Sequence, residues 1–398
     1  MMMGMETTVV IVGAGPAGLV LGLLLQRAGI PFVVIERRSR AEVGGPPKAG
    51  SIDYRTVQML KRVGIADDLV RFNVENGRCE FRTPSDSVIV NYGALTGGRP
   101  HFVYPQHLLV ETLCSALLNL GGDVRFDCTV TNVAHHAGGG RVMWRTNVDQ
   151  PHEMTADVVV GCDGARSTVA PLLTNSAIAE RSLPVRWLAV IADAPALVQH
   201  TIYGAHPRGF AGQMLRGPEQ TRYYLEVPVT DTEADWPQGR VRAELSDRLN
   251  VHGRLDKTSF GQMSFVDLQM RVTEPMQQDG IFLCGDAAHL ITPSGGKGMN
   301  LAMADAVELA EGLIDRFGPA ADGTRLAAFS ATRLEIIWRI QAFSFWLLQI
   351  LQANKTGNET GAAETFGRGL RSGWVASLQR DPLLANWFAH AYAGVDPE

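Results

Sequence analysis

The feature that most constrains this chain is a glycine-rich turn between an apolar run and a helical pattern near its start. Residues 8–12 are mostly β-branched and apolar, which is typical of a buried parallel strand. Helical spacing follows, and then a second apolar strand at 32–35 that ends at Glu36. The turn between the first strand and the helix reads Gly13-Ala14-Gly15-Pro16-Ala17-Gly18. The pattern predicts a βαβ unit.

The turn has the spacing of a dinucleotide fingerprint. Gly13 permits the tight turn, Gly15 lets the backbone approach a pyrophosphate, and Gly18 lets helix and strand pack closely. The helix start offers free N–H groups to phosphates, and Ala17 belongs to the same binding turn. Glu36, eighteen residues after Gly18, is placed to accept hydrogen bonds from ribose hydroxyls. The alternative is a glycine-rich turn that binds nothing.

Two later motifs narrow the ligand. Asp163 follows the apolar run 158–161, and Asp286 follows the run 281–284. A carboxylate at the carboxyl end of a strand lies in the crevice where such sheets bind ligands, so Asp286 can bond the hydroxyls of a flavin ribityl chain. A helix then opens near Gly298 and Met299, and its N–H groups suit the end of reduced flavin that carries negative charge. Each motif alone could be an ordinary turn, but their order predicts FAD.

Composition excludes several classes of protein. The 398 residues carry a net charge of −5, which argues against a nucleic-acid binder. Five scattered cysteines without a CxxC fit a reduced, cytoplasmic chain. The uncharged stretch 9–25 is interrupted by glycine and proline, so we expect no membrane span there. The ten histidines show no metal spacing, and we expect no metal; His135 and His136 precede Gly138 and are predicted to lie in a loop.

The changing periodicity predicts a mixed α/β fold, α+β overall. A Rossmann-like βαβ domain carries an inserted domain with an antiparallel sheet and ends in a helical tail. We predict a discontinuous FAD-binding domain at 1–75, 104–180 and 273–320. The substrate domain is predicted at 76–103 and 181–272, and the C-terminal helical region at 321–398. The glycine-, threonine- and asparagine-rich stretch 354–363 is predicted to be a mobile loop.

These motifs, with the strings at 202–210, 222–224, 274–276 and 392–394, resemble the single-component FAD-dependent aromatic hydroxylases, and in particular their hydroxybenzoate branch. The resemblance runs nearly end to end. It implies that a nicotinamide cofactor reduces FAD and that oxygen adds to the flavin as a hydroperoxide. That species hydroxylates an aromatic acid of the hydroxybenzoate or aminobenzoate type. A homodimer is compatible with the resemblance.

The resemblance also implies site residues. Tyr203 matches the tyrosine that bonds the substrate hydroxyl, and Tyr392 matches the tyrosine that relays its proton. Pro293 matches a residue whose backbone lies over the reacting ring. Arg216 and Tyr224 match residues that hold the substrate carboxylate, and a guanidinium suits that role. Gln106 and Asp286 match residues that contact FAD in the family.

Four positions depart from the family pattern. Met214 replaces a carboxylate-binding serine, and a thioether cannot donate a hydrogen bond. Asn76 replaces the histidine at the outer end of the proton relay, and Asn cannot titrate. Lys48 replaces an arginine that contacts flavin and nicotinamide, and lysine lacks the planar fork of that arginine. Gln269 replaces a second arginine on the cofactor side, although Arg271 is close in sequence.

The cluster Arg37, Arg38 and Arg40 lies where the family reads the adenosine end of the nicotinamide cofactor, and three cations suit a 2′-phosphate. We therefore expect NADPH to be preferred over NADH. Two other functions remain open on this scaffold: an FAD-dependent reductase of an isoprenoid lipid, and a non-catalytic flavin module that senses redox state. The presence of Tyr203 and Arg216 favours the hydroxylase.

Overall fold

The computed structural model describes residues 5–45, 50–62, 64, 75–352 and 362–394. Two eight-stranded sheets and one three-stranded sheet occur in these ranges. The strands of the first sheet are Met5–Val12, Phe32–Ile35, Val124–Arg125, Cys128–His136, Gly139–Thr146, Pro151–Gly161, Gln277–Gln278 and Ile281–Leu283. The helices of the same ranges are Pro16–Ala28, Tyr54–Arg62, Tyr92–Leu95, Gln106–Asn119, Gln238–Arg248, Gly298–Phe317, Thr324–Leu351, Ala362–Arg380 and Pro382–Ala393.

The first sheet places the nucleotide motifs side by side. Met5–Val12 pairs in parallel with Phe32–Ile35 on one side and with Pro151–Gly161 on the other. Ile281–Leu283 adds a further parallel strand beside Pro151–Gly161. Since the carboxyl ends of parallel strands share one edge, the turns that follow these strands converge there. The predicted βαβ unit is confirmed, and its helix begins at Pro16.

The second sheet is mostly antiparallel, as the alternating periodicity predicts. The predicted strand pair within 77–92 is confirmed as Cys79–Arg82 and Ser87–Val90. The only parallel pairing described in this sheet joins Cys79–Arg82 to Thr201–His206. In spatial order its strands are His289–Leu290, Phe260–Glu274, Ala177–Ala192, Thr221–Pro228, Gly209–Leu215, Thr201–His206, Cys79–Arg82 and Ser87–Val90.

The three-stranded sheet is small. Its middle strand, His101–Val103, pairs with Ser51–Ile52 on one side and with Glu75–Asn76 on the other. In this register Asn76 lies opposite His101.

The last helix, Pro382–Ala393, has a well-defined start and end. Asp381 caps its N-terminus by accepting hydrogen bonds from the N–H groups of Leu383 and Leu384, and Pro382 occupies its first turn. Gly394 ends it in the left-handed region, with φ at 71°. A Cβ at Gly394 would collide with the carboxylate of Asp53, so a glycine lets this helix end approach the body of the protein.

Helix Thr324–Leu351 is long and apolar enough to cross a bilayer by length and composition alone, yet half of its most apolar window is buried inside the protein. Its Arg333 is buried and donates from Nε to Asp305, on helix Gly298–Phe317, at 2.8 Å. Because a buried ion pair ties this helix to its neighbour, we interpret it as a helix of the protein core.

One local prediction is wrong, and a second falls mostly on residues that the structure does not describe. His135 and His136 do not lie in a loop but end the strand Cys128–His136, because the turn is confined to the two residues that follow. His135 and His136 pair with Gly140 and Gly139, so strand pairing overrides the local glycine signal. The predicted loop 354–363 lies mostly outside the described residues, and its last two residues belong to helix Ala362–Arg380.

Candidate active site

The glycine turn fits a bound pyrophosphate. A Cβ at Gly13 would lie 2.5 Å from the carbonyl oxygen of Cys162, which is a steric clash. Gly13 also has a φ of 104°, a backbone conformation that residues with side chains rarely adopt. A Cβ at Gly18 would collide with the carbonyl of Gly13. Gly15 differs, because its nearest neighbour would be 3.9 Å away. The glycines on either side therefore close the turn, while Gly15 leaves open space at the helix N-terminus for a phosphate group.

Glu36 is 5% exposed, and both of its carboxylate oxygens are oriented by backbone groups. Oε2 accepts the N–H of Ala14 at 2.7 Å, and Oε1 accepts the N–H of Arg38 at 2.9 Å. A carboxylate has further lone pairs beyond these two contacts. Glu36 is thus held rigidly beside the glycine turn with capacity left for ribose hydroxyls, which fits the expected cofactor.

The two aspartates of the later motifs differ. Asp286 is exposed at the crevice. Asp163 directs Oδ2 to Thr168, accepting from its N–H at 2.6 Å and from its hydroxyl at 2.9 Å, while its Oδ1 is buried without a described partner. Arg271 joins the two motif loops by donating to the carbonyls of Ala165 at 3.0 Å and Asp286 at 3.1 Å. Asp286 is therefore the better placed of the two to bind a ligand, and Asp163 shapes its loop.

A single pocket collects the residues expected at the substrate site. Its lining is formed by Gly50, Ser51, Asn76, Val103, Pro105, Thr201, Tyr203, Met214, Leu215, Arg216, Arg222, Tyr224, Pro293, Gly295, Gly296 and Tyr392. All six residues expected for catalysis and substrate binding are among them. The loop at 293–296 forms one wall and leads into helix Gly298–Phe317, whose first residues are half-buried. A Cβ at Gly298 would meet nothing within 4 Å, so the helix start is open.

Part of the pocket lining is cationic. Arg216 is 7% exposed, so it is not a solvated strand residue. Burial and the neighbouring Arg222 lower the pKa of Arg216. Burial raises the pKa of Tyr224, whereas both arginines oppose that rise. Two guanidinium groups and a phenol form an environment that favours a carboxylate. Met214, opposite Arg222 in the sheet register, contributes only a thioether there.

A second part of the pocket lining is formed by two phenols. The hydroxyls of Tyr203 and Tyr392 are 2.8 Å apart, and Tyr203 also donates to the backbone carbonyl of Ser294 at 2.9 Å. Burial raises the pKa of Tyr203 well above its usual value, and the nearby Tyr392 adds to the rise. Burial likewise raises the pKa of Tyr392. Burial therefore favours the protonated form of both phenols.

Asn76 is buried, at 6% exposure, and its Nδ2 donates to Thr201 at 2.8 Å. Thr201 lines the same pocket as Tyr203 and Tyr392. Asn76 is therefore a buried residue of the pocket that contains the tyrosine pair, not a surface residue.

Tyr392 is held by two buried groups beneath it. Lys297 Nζ donates to the Tyr392 carbonyl at 2.5 Å and lies 3.8 Å from a carboxylate oxygen of Asp53. His101 stacks on the Tyr392 ring at 4.9 Å and donates from Nε2 to the same carbonyl at 2.6 Å. Its Nδ1 lies 3.1 Å from the Ser51 hydroxyl. Burial, with a contribution from Lys297, lowers the pKa of His101 to about 3, so this imidazole is neutral.

None of the described residues that are expected to contact the cofactor lines this pocket. Lys48 lies outside the described residues. Arg37 is exposed, while Arg40 donates to the Ser115 hydroxyl at 2.8 Å and is partly occupied by that contact. Gln106 is half-buried at the start of helix Gln106–Asn119, beside the pocket residue Pro105. Gln269 is exposed, in contrast to the bridging Arg271.

Sequence reasoning missed Arg222 as a pocket residue. It is 6% exposed, its guanidinium lies 5.4 Å from the Tyr224 ring centre, and its Nε is buried without a described partner. A signal was present, because residues two apart on a strand point to the same face. The roles of Thr201, Ser294 and His101 had no comparable local signal.

Comparison with known proteins defines the class. A family model described as an FAD binding domain matches residues 6–344. The p-hydroxybenzoate hydroxylase of Acinetobacter baylyi is 31% identical over 363 residues, 90% of this chain and 89% of that protein. A 12-dehydrotetracycline 5-monooxygenase/anhydrotetracycline 6-monooxygenase of Streptomyces rimosus is 32% identical over 77% of this chain and 62% of its own length. The solved structure of p-nitrophenol 4-monooxygenase from Pseudomonas putida superposes over 100% of both chains with a TM-score of 0.85 at 19% identity.

The fold and the crevice define an FAD-binding oxidoreductase. Within that class, the chain belongs to the single-component FAD-dependent aromatic hydroxylases. It is a flavoprotein monooxygenase that acts on an aromatic substrate.

Proposed function

We propose that this enzyme uses NADPH and molecular oxygen to hydroxylate a small aromatic acid of the hydroxybenzoate or aminobenzoate type. The observation that carries the proposal is that one pocket contains both a cationic group of residues and a pair of phenols. Arg216, Arg222 and Tyr224 form the cationic group, and Tyr203 and Tyr392 form the phenol pair. A ring with a carboxylate at one end and a polar activating group at the other matches both.

The cofactor would bind along the crevice of the first sheet. Gly15 and the helix start would hold the pyrophosphate, Glu36 the ribose, Asp286 the ribityl chain, and the N–H groups of Gly298 and Met299 the far end of the ring system. When bound, FAD supplies the redox chemistry: it takes electrons from NADPH and activates oxygen for transfer to the aromatic ring.

The residues of the chain orient the substrate and keep water away. Arg216 would bind the carboxylate and fix the ring, while the carbonyl-bearing loop at Pro293 would cover it. Tyr203 would bond the activating group on the ring. The buried walls exclude water, which protects the activated oxygen from being lost before it reaches the ring.

The test is a substrate panel with purified holoenzyme. NADPH consumption and product mass would be measured with 4-hydroxybenzoate, with 4-aminobenzoate, and with 4-hydroxybenzyl alcohol as a matched compound without the carboxylate. We expect a product one oxygen atom heavier from at least one acid and far less from the alcohol. NADPH consumption without any oxygenated product from either acid would contradict the proposal.

A further inference from the structure

The small three-stranded sheet holds Ser51 on the wall of the pocket. Ser51 lines the pocket, as does Val103, its partner on the middle strand. The Ser51 carbonyl accepts a hydrogen bond from Nδ2 of Asn300 at 3.0 Å. A Cβ at Gly296 would lie 3.3 Å from the Cβ of Ser51. Ser51 is therefore fixed between the small sheet and the pocket wall formed by the loop at 293–296.

The Ser51 hydroxyl contacts the imidazole of His101, whose tautomer follows from its other contact. Nε2 of His101 lies 2.6 Å from the backbone carbonyl of Tyr392, and a carbonyl oxygen can only accept. Nε2 therefore carries a proton, and in a neutral imidazole the second nitrogen is then an acceptor. Nδ1 of His101 lies 3.1 Å from Oγ of Ser51, so the serine hydroxyl donates its proton to that nitrogen.

The surroundings of His101 favour the neutral imidazole. Its side chain is 2% exposed, and the rings of Tyr92 and Tyr392 lie 5.3 Å and 4.9 Å from its own. Its two described hydrogen bonds go to a hydroxyl and a carbonyl, neither of which carries a charge. Lys297 donates to the same carbonyl, so a second cation there would be repelled. Burial, with a contribution from Lys297, lowers the pKa of His101 to about 3.

The contact with His101 decides what Ser51 can offer to a ring bound in the pocket. With its only proton directed to His101, the Ser51 hydroxyl has lone pairs alone for any further partner. That partner must be an N–H or O–H group. The guanidinium groups of Arg216 and Arg222, which line the same pocket, only donate, so Ser51 adds the opposite preference to the pocket.

Resting on the function proposed above, we propose that Ser51 is a specificity-determining residue that accepts a hydrogen bond from an N–H or O–H group of the ring bound beside it. His101 is the positioning residue that sets the polarity of the serine. Two ligands of the enzyme carry such a donor: a ring substituent of the aromatic acid, and the ring N–H that flavin gains on reduction. In the first case Ser51 selects the substrate, and in the second it stabilises the reduced cofactor.

The first measurement is the affinity of the holoenzyme for 4-hydroxybenzoates that carry an amino or a methyl group, ortho or meta to the carboxylate. The two groups have similar size, but only the amine donates. We expect the wild type to prefer the amine about fivefold at one of these positions, because one net hydrogen bond is gained. Ser51→Ala should abolish this preference, whereas Ser51→Thr is the matched control that keeps the hydroxyl and the preference.

A variant of His101 tests the origin of the polarity. His101→Phe keeps an aromatic ring beside Tyr392 but removes the acceptor, so the Ser51 hydroxyl can turn its proton towards the pocket. The preference for the amine should therefore fall although Ser51 is still present. A purely structural role of His101 would lower thermal stability and leave the preference unchanged, and that result in a folded, flavin-loaded His101→Phe enzyme would contradict the role assigned to it.

The midpoint potential of the flavin in the substrate-free holoenzyme tests the second source of the donor. If reduced flavin supplies it, Ser51→Ala should lower the potential by about 20 mV, which is the same fivefold change for a two-electron couple. A Ser51→Ala enzyme with both the wild-type preference and the wild-type potential would overturn the inference. None of these measurements depends on turnover, so their failure is distinct from the lack of oxygenated product that would contradict the proposed function.

Discussion

The cofactor crevice and the substrate pocket are built in different ways. In the crevice the backbone forms the binding surface. Gly13 and Gly18 allow close backbone packing, and Gly15 leaves room for a phosphate group. In the pocket side chains form that surface, and these come from separate segments, such as Asn76, Tyr203 and Tyr392. The crevice tolerates few substitutions but recognises a common ligand. The pocket can change its specificity through single side chains such as Met214.

The largest expected effect is on the crevice. Gly15→Val should yield mostly apoprotein, because the side chain fills the space facing the pyrophosphate. Gly15 has extended backbone angles that valine adopts easily, so the fold should survive. Losing two hydrogen bonds to a charged group, each worth about 1.5–3 kcal/mol, weakens FAD binding by roughly a hundredfold or more.

Flavin absorbance per protein and a thermal melt of the apoprotein would measure this effect. Gly239→Val is the matched control, because Gly239 lies near the start of helix Gln238–Arg248, away from the crevice. A Cβ at Gly239 meets nothing within 4 Å, so valine is tolerated there as well. Full flavin occupancy in Gly15→Val would show that the fingerprint does not hold the pyrophosphate.

The next effect concerns the pocket alone. Tyr203→Phe should bind FAD and consume NADPH but lose product yield by about a hundredfold, because the contact to the activating group is gone while wasteful release of hydrogen peroxide continues. Tyr223→Phe is the control, since Tyr223 belongs to a different buried cluster. Product and peroxide should be measured together, and wild-type product yield in Tyr203→Phe would remove its assigned role.

These two regions also differ in what sequence reveals. The glycine turn and Glu36 are recognisable because their contacts lie within one βαβ unit, and the structure has the strands and helix expected there. The contact between Asn76 and Thr201 depends on which strands become neighbours, and no local pattern specifies that. The loop predicted at His135 failed for the same reason, because strand pairing decided the outcome.

Met214→Ser should produce a smaller change, in affinity only. A serine hydroxyl restores a donor beside Arg216, and one hydrogen bond to a carboxylate is worth about 1.5–3 kcal/mol, so aromatic acids should bind about ten- to a hundredfold more tightly. Met214→Leu keeps the volume without a donor and should bind them as the wild type does. Flavin fluorescence titration measures both. Weaker binding of 4-hydroxybenzoate and 4-aminobenzoate in Met214→Ser would mean that the acid group lies elsewhere.

The smallest effect is expected at the exposed rim of the crevice. Arg37→Ser should lower kcat/KM for NADPH by a few-fold and leave NADH unaffected, because an exposed contact between a cation and a 2′-phosphate is worth only about 0.2–1 kcal/mol. Arg40→Ser should change the preference less, since that guanidinium already bonds the Ser115 hydroxyl. Steady-state kinetics with both cofactors would decide, and equal efficiency of the wild type with NADPH and NADH would rule out recognition of the 2′-phosphate by this cluster.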